Sequence, residues 1–145
     1  MSMSLQGRMA QVISNREYKA IAAAIAPAQD RLSSQMFSNA APVISGAGAA
    51  TAKTAASITY GTANGVLQVV GAGTALTALT GLNISAGKYN VFCWFIDSAG
   101  TITVRMGTEG AAASNVKFPE FPAGKALLGF ALVTYASAFT GGTTP

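Results

Sequence analysis

Apolar residues fall along this chain in two different rhythms, and the change from one to the other marks its organisation. From Ser14 to about Phe37, Tyr18, Ile21, Ala22 and Ile25 recur at spacings that share one helical face, with Ser14 or Asn15 as cap and Glu17 in the first turn. Pro27 lacks a backbone donor and clashes with the turn before it, so the pattern predicts a break and a second short helix over 28–37, with Leu32, Met36 and Phe37 apolar. Each piece is short, and isolated helices below about a dozen residues are marginal in water. They must pack, either back onto the rest of the chain or onto another molecule.

Beyond Ile58 the rhythm has period two. Two β-prone runs, 57–60 and 66–70, flank Asn64-Gly65, a dipeptide suited to a tight hairpin turn because both positions tolerate positive φ. Residues 74–83 alternate Thr with apolar residues imperfectly, through Leu76, Leu79, Leu82 and on to Ile84, which predicts a strand with a bulge. The run 89–96 is apolar at every second position on both faces, the pattern of a central strand covered on both sides. Asp97-Ser-Ala-Gly100 then supplies a turn, and 101–106 returns with Ile102, Val104 and Met106 toward the core and Thr101, Thr103 and Arg105 away from it. Phe118-Pro-Glu-Phe-Pro122 reads as extended and proline-punctuated, and 125–135 as a last long apolar strand. The expected fold is mainly β: a small antiparallel β-sandwich or barrel (58–145), preceded by a short helical N-terminal arm (1–37) and an Ala/Gly/Ser/Thr-rich linker (38–57).

Composition adds a functional constraint. Charged residues make up 10% of the 145-residue chain, against about 25% in a typical soluble protein. A surface so poor in charge does little to keep copies apart, and buried contact areas are depleted in Asp, Glu and Lys. Self-association and coverage by a larger protein are therefore expected. The net charge of +4 is concentrated in the first third, where Arg8, Arg16, Lys19, Arg31 and Lys53 face only Glu17 and Asp30. These cations are scattered singly, without a basic run or a base-stacking motif, so an acidic protein surface is a better expectation than nucleic acid.

Catalytic chemistry is not encoded in any recognisable pattern. The chain has no histidine, the commonest general base and transition-metal ligand. Its serines and threonines therefore lack the usual activating partner. Glu109 and Glu120 could be written as a glycosidase-style pair by spacing, but without the charged and aromatic cleft residues that accompany one. Cys93, the single cysteine, lies in an apolar run and reads as core. Gly46-Ala-Gly48, Gly71-Ala-Gly73 and Gly124-Lys125 lack the further residues of a nucleotide-binding loop. No cofactor, metal or small-molecule substrate is expected. Neither a secretory leader nor a membrane span is expected, because charges interrupt residues 1–26 and Thr, Ser and Gly interrupt 126–145.

The order of several segments resembles a module of virion structural proteins of tailed bacteriophages. They are 56–60 with Asn64-Gly-Val-Leu67, Asp97-Ser-Ala-Gly-Thr-Ile-Thr-Val104, Phe118-Pro-Glu-Phe-Pro-Ala-Gly-Lys125, Leu128-Gly-Phe130 and Thr140-Gly-Gly-Thr-Thr144. The likeness covers roughly the last three-fifths of the chain and does not extend to the N-terminal third. It implies a capsid decoration, cement or head-fibre role at the capsid surface of a virion assembled in the host cytoplasm. Such proteins are homo-oligomers, often trimers, that bind the major capsid protein or another virion protein. Tail, baseplate or fibre components, and receptor- or carbohydrate-binding modules, are the alternatives. On this reading Arg8, Arg16, Lys19 and Arg31 would supply steering and rim contacts to capsid or subunit. Tyr18, Ile21, Ile25, Leu32, Met36 and Phe37 would supply buried area.

Overall fold

A computed structural model describes residues 15–44 and 51–142. Among the described residues one helix, α1 (Asn15–Ser33), precedes ten strands: β1 (Gln35–Met36), β2 (Val43–Ile44), β3 (Ala52–Lys53), β4 (Thr59–Ala63), β5 (Val66–Val70), β6 (Asn83–Ile84), β7 (Tyr89–Ile96), β8 (Ile102–Met106), β9 (Ala126–Thr134) and β10 (Phe139–Thr140). All strand pairs are antiparallel, in two three-stranded sheets, β1–β4–β5 and β8–β7–β9, with two short ribbons, β2–β3 and β6–β10. The architecture is thus mainly β and sandwich-like, with one helix near the N-terminus, as the pattern of the sequence predicts.

Strand β7 organises the core. Phe92, Trp94 and Ile96 on one face pack with Ala63 and Val70 of the β4–β5 hairpin and with Leu76, Leu79, Ile84, Leu128 and Phe139. On the opposite face Val91, Cys93 and Phe95 form a second cluster, roofed by Val116, Phe121 and Leu127. A flap over 107–124, containing a short 3₁₀ turn (Ala113–Asn115), carries the first two of those roof residues. The central, doubly covered strand expected from its unbroken apolar run is therefore present, between β8 and β9. The turn chemistry also behaves as expected: Asn64 and Gly65 have φ of 49° and 75°, and Gly100 closes the β7–β8 turn at 80°.

Two expectations are corrected. Pro27 does not break the helix, which runs unbroken through it to Ser33. It forfeits one backbone hydrogen bond, and the alanines around it supply enough helix propensity to continue. The chain leaves the helix at Ser33–Ser34, and residues 35–36 form an edge strand instead of a helical turn. The Ser33 hydroxyl donates to the Asp30 carbonyl, and the Ser34 hydroxyl accepts the Asn64 N–H at 2.9 Å. Strand β1 can lie this close to β4 because position 61 is glycine: a Cβ there would stand 2.6 Å from the Gln35 carbonyl oxygen.

The second correction concerns 74–83, where the only strand residue is Asn83, in β6. Leu76, Leu79 and Leu82 recur every third residue, which a flat strand cannot place on one face. The segment instead turns at Gly73 and Gly81, both at positive φ, and drops Leu76 and Leu79 into the core.

The described residues of the Ala/Gly/Ser/Thr-rich stretch 38–57 are knitted to the β framework by small polar contacts. Thr54 is fully buried; its hydroxyl donates to the Gly71 carbonyl at 2.9 Å and accepts the Thr74 N–H at 2.9 Å. The Ala55 N–H donates to the Ala40 carbonyl, and the Ala40 N–H to that of Leu128.

Candidate interaction surfaces

Helix α1 stands on the β domain by its last turn. Every residue from Lys19 to Gln29 is exposed. At the C-terminal end, Asp30 Oδ1 accepts the Gly124 N–H at 2.8 Å, and the Ser33 carbonyl accepts the Gly65 N–H at 2.8 Å. The Arg31 guanidinium lies 4.5 Å over the Phe121 ring, which in turn meets Phe95 edge-on at 5.2 Å. A shallow cleft separates the helix from the flap, with Ala23, Pro27 and Asp30 on one wall and Glu120, Phe121 and Ala123 on the other.

Sequence-selected contact residues divide accordingly. Lys19, Ile21, Ile25 and Leu32 are exposed on the helix, the three apolar ones by 49%, 47% and 73%. Arg31 is drawn onto Phe121. Met36 packs against the protein's own core, whereas Phe37, 69% exposed, stands outside it. Arg16 and Tyr18 lie within the helix, and Arg8 lies outside the described residues.

A second apolar surface was not singled out from the sequence. The outward positions of the β4–β5 hairpin carry Tyr60 paired with Val69 and Thr62 paired with Leu67. Tyr60, Leu67 and Val69 are all exposed, as are Ile58 and Val66. The Phe37 N–H donates to the Tyr60 carbonyl, which sets that exposed ring at the same sheet edge. The solvated face of an antiparallel sheet is ordinarily polar, whereas this one carries Tyr60, Leu67 and Val69. The signal was available, because no residue between Lys53 and Lys88 is charged.

A third feature is an open, mainly apolar pocket of about 440 Å³ bordered by Pro42, Val43, Leu79, Trp94, Leu132 and Tyr135. Trp94 contributes to its floor but is 1% exposed, and its indole N–H donates to the Thr77 carbonyl at 2.9 Å. The ring is therefore not presented as a stacking platform.

The carboxylates of Asp97 and Glu109 have structural partners. Asp97 Oδ1 accepts the N–H groups of Thr101 at 2.9 Å and Ala99 at 3.1 Å, and its other oxygen lies 3.5 Å from Lys125 Nζ. The Thr101 hydrogen bond, with smaller help from Ala99 and Lys125, holds the Asp97 carboxyl below its ordinary pKa. Glu109 accepts the Ser85 N–H at 2.7 Å, while Glu120 borders the helix cleft. Burial pushes the Cys93 thiol up to about 11, the opposite of the depression that activates a nucleophilic cysteine. Among the described residues, no group of three or more His, Cys, Asp or Glu side chains could hold a metal. Likewise no described helix is long and apolar enough to cross a membrane.

Comparison of the chain with protein-family models, curated proteins and solved structures finds no match.

Proposed function

We propose that this chain is a non-enzymatic structural protein of a tailed-phage virion. On this reading it is a homo-oligomeric decoration or cement protein that binds and stabilises the major capsid lattice. One observation carries the assembly part of this reading: large apolar side chains stand exposed on α1 and on the outer face of β1–β4–β5, in a chain of which only 10% is charged. Contiguous exposed apolar area on a small domain marks a surface that another protein covers. The capsid part rests on the resemblance of 56–144 to virion modules. Weak contacts suffice for such a role, since linking several copies raises the effective concentration of each binding surface.

The test is co-sedimentation of the purified chain with shells assembled from the virus's own major capsid protein, followed by heating of loaded and bare shells. Saturable binding at a fixed ratio, with loaded shells surviving a higher temperature, is the expected result. Shells that neither retain the chain nor gain stability from it would overturn the capsid reading. A tail or fibre component is the second reading, favoured by the helix that projects from the β domain. Antibody labelling of intact particles in the electron microscope separates the two by position.

A further inference from the structure

Strand β9 is open along one side for part of its length. In its neighbour β7, Tyr89 exchanges both main-chain hydrogen bonds with Gly110, and the Val91 carbonyl accepts the Gly107 N–H. Main-chain groups alternate sides along an antiparallel strand. Asn90, Phe92 and Trp94 therefore turn theirs to Val133, Ala131 and Gly129, their partners in β9. The groups of Leu128, Phe130, Leu132 and Thr134 then point the other way, out of the sheet edge. The Leu128 carbonyl is taken by the Ala40 N–H. Beyond it, among the described residues, no strand or loop pairs with Phe130, Leu132 or Thr134 on that side.

The open stretch runs beside the apolar pocket of about 440 Å³, which residues 131–135 line from the β9 side. Across it stand Pro42 and Val43, the latter in β2, which pairs with β3 and not with β9. Leu79, Trp94 and Phe139 border its base, and none of its described lining residues is charged. Its volume falls in the range of ligand pockets, roughly 300–1,000 Å³. On the opposite face of β9, Phe130 and Leu132 stand 52% and 50% exposed, across from Cys93 and Val91 of β7. Successive residues of a strand laid against β9 would alternate between the pocket and this second apolar surface.

We infer that β9 accepts an extended segment of another protein as an added antiparallel or parallel strand. The segment is uncharged: one bulky apolar side chain sits in the pocket between β2 and β9, and its neighbours, β-branched or aromatic, lie against Phe130 and Leu132. The open N–H and C=O groups call for donors and acceptors repeating at strand spacing, which a lipid chain does not carry. Main-chain bonds for affinity, with a pocket that chooses a side chain, are the two parts of recognition by strand addition. A charged side chain at the pocket position would be buried without a counter-charge. This inference rests on the partner-binding half of the proposed function and is independent of the capsid.

The test uses the full chain and a blocked heptapeptide whose central phenylalanine stands between two valines. In the free protein the amides of Phe130, Leu132 and Thr134 should exchange rapidly with deuterium, while those of Ala131 and Val133, bonded to β7, stay protected. Saturating peptide should slow the first set. Leu132→Pro removes one outward donor without touching the ladder to β7 and should weaken binding about tenfold. Leu132→Ala keeps that donor and should weaken it far less. An unchanged near-ultraviolet signal from buried Trp94 shows that each variant is folded. Outward amides already protected in the free protein, or left unslowed by the peptide, would overturn the inference. So would equal binding by a peptide with aspartate in place of phenylalanine. Decanoate that shifts the signals of Leu79 and Phe139 where the peptide leaves them unmoved would overturn it in favour of a lipid site. Shell binding is scored separately, so failure of the peptide leaves the capsid reading standing.

Discussion

Truncation of Ile25 to alanine should have opposite effects on the separated chain and on the assembly, and that opposition is what makes it informative. In the single chain Ile25 is 47% exposed. Full burial of an isoleucine contributes about 1.5–3 kcal/mol, so covering the remaining half is worth about 1 kcal/mol per chain and about 3 kcal/mol in a trimer, the state the resemblance implies. Removing that contribution lowers the three-body association constant about 150-fold. The constant scales with the square of free chain concentration, so the concentration at half-assembly rises by the square root, about 12-fold. Meanwhile alanine is the better helix former by a few tenths of a kcal/mol, which slightly strengthens α1 in the separated chain. The assay is sedimentation velocity over a dilution series, with helical circular dichroism read below and above the assembly concentration. A variant whose assembly point does not move, or whose separated chain loses helix, would show that Ile25 serves its own domain and refute the reasoning.

Other consequences follow from the interior and the turns. Trp94→Phe removes the hydrogen bond to the Thr77 carbonyl and leaves a void, together costing about 2 kcal/mol; the urea midpoint by circular dichroism should fall with an unchanged slope. Because the folded-state pKa of Asp97 is depressed, its carboxylate contributes stability above its ordinary value and loses it as pH falls through the lower folded one. Asp97→Asn should therefore unfold with a flatter acid limb, and a titration by fluorescence that superimposes on the native one would contradict the turn assignment. Cys93, raised to about 11, should resist iodoacetamide at pH 8 in the folded protein and react at an ordinary thiol rate in denaturant, as intact mass measures directly.

The parts of this fold that were legible in sequence are those where one rhythm acts alone. Strand β7 announced its central place because Val91 to Ile96 leave no polar position for water, and the Asn64-Gly65 hairpin because its dipeptide admits few other backbones. The helix was legible as a stripe but not in its length, since a proline rule stated for one residue does not weigh the alanines around it. The strand expected over 74–83 failed because threonine and leucine satisfy a β-prone count at a spacing that is not two. Which face of α1 looks outward was out of reach, for it is set by Asp30 reaching Gly124, a contact spanning 94 residues of chain. The apolar outer face of the β4–β5 hairpin was written in the sequence as a long absence of charge, a signal that local periodicity does not register.

The ring stack from Arg31 through Phe121 to Phe95 has a mechanical meaning. Strand β1, which follows the helix directly, is a two-residue edge strand and would peel first if a pull on the arm reached it along the backbone. Arg31 and Asp30 intercept that pull one turn earlier and hand it sideways, through Phe121 and Gly124, to the middle of the sheet. A pull on the arm is thus carried where the strands are longest, and the sandwich stays closed while the arm is loaded.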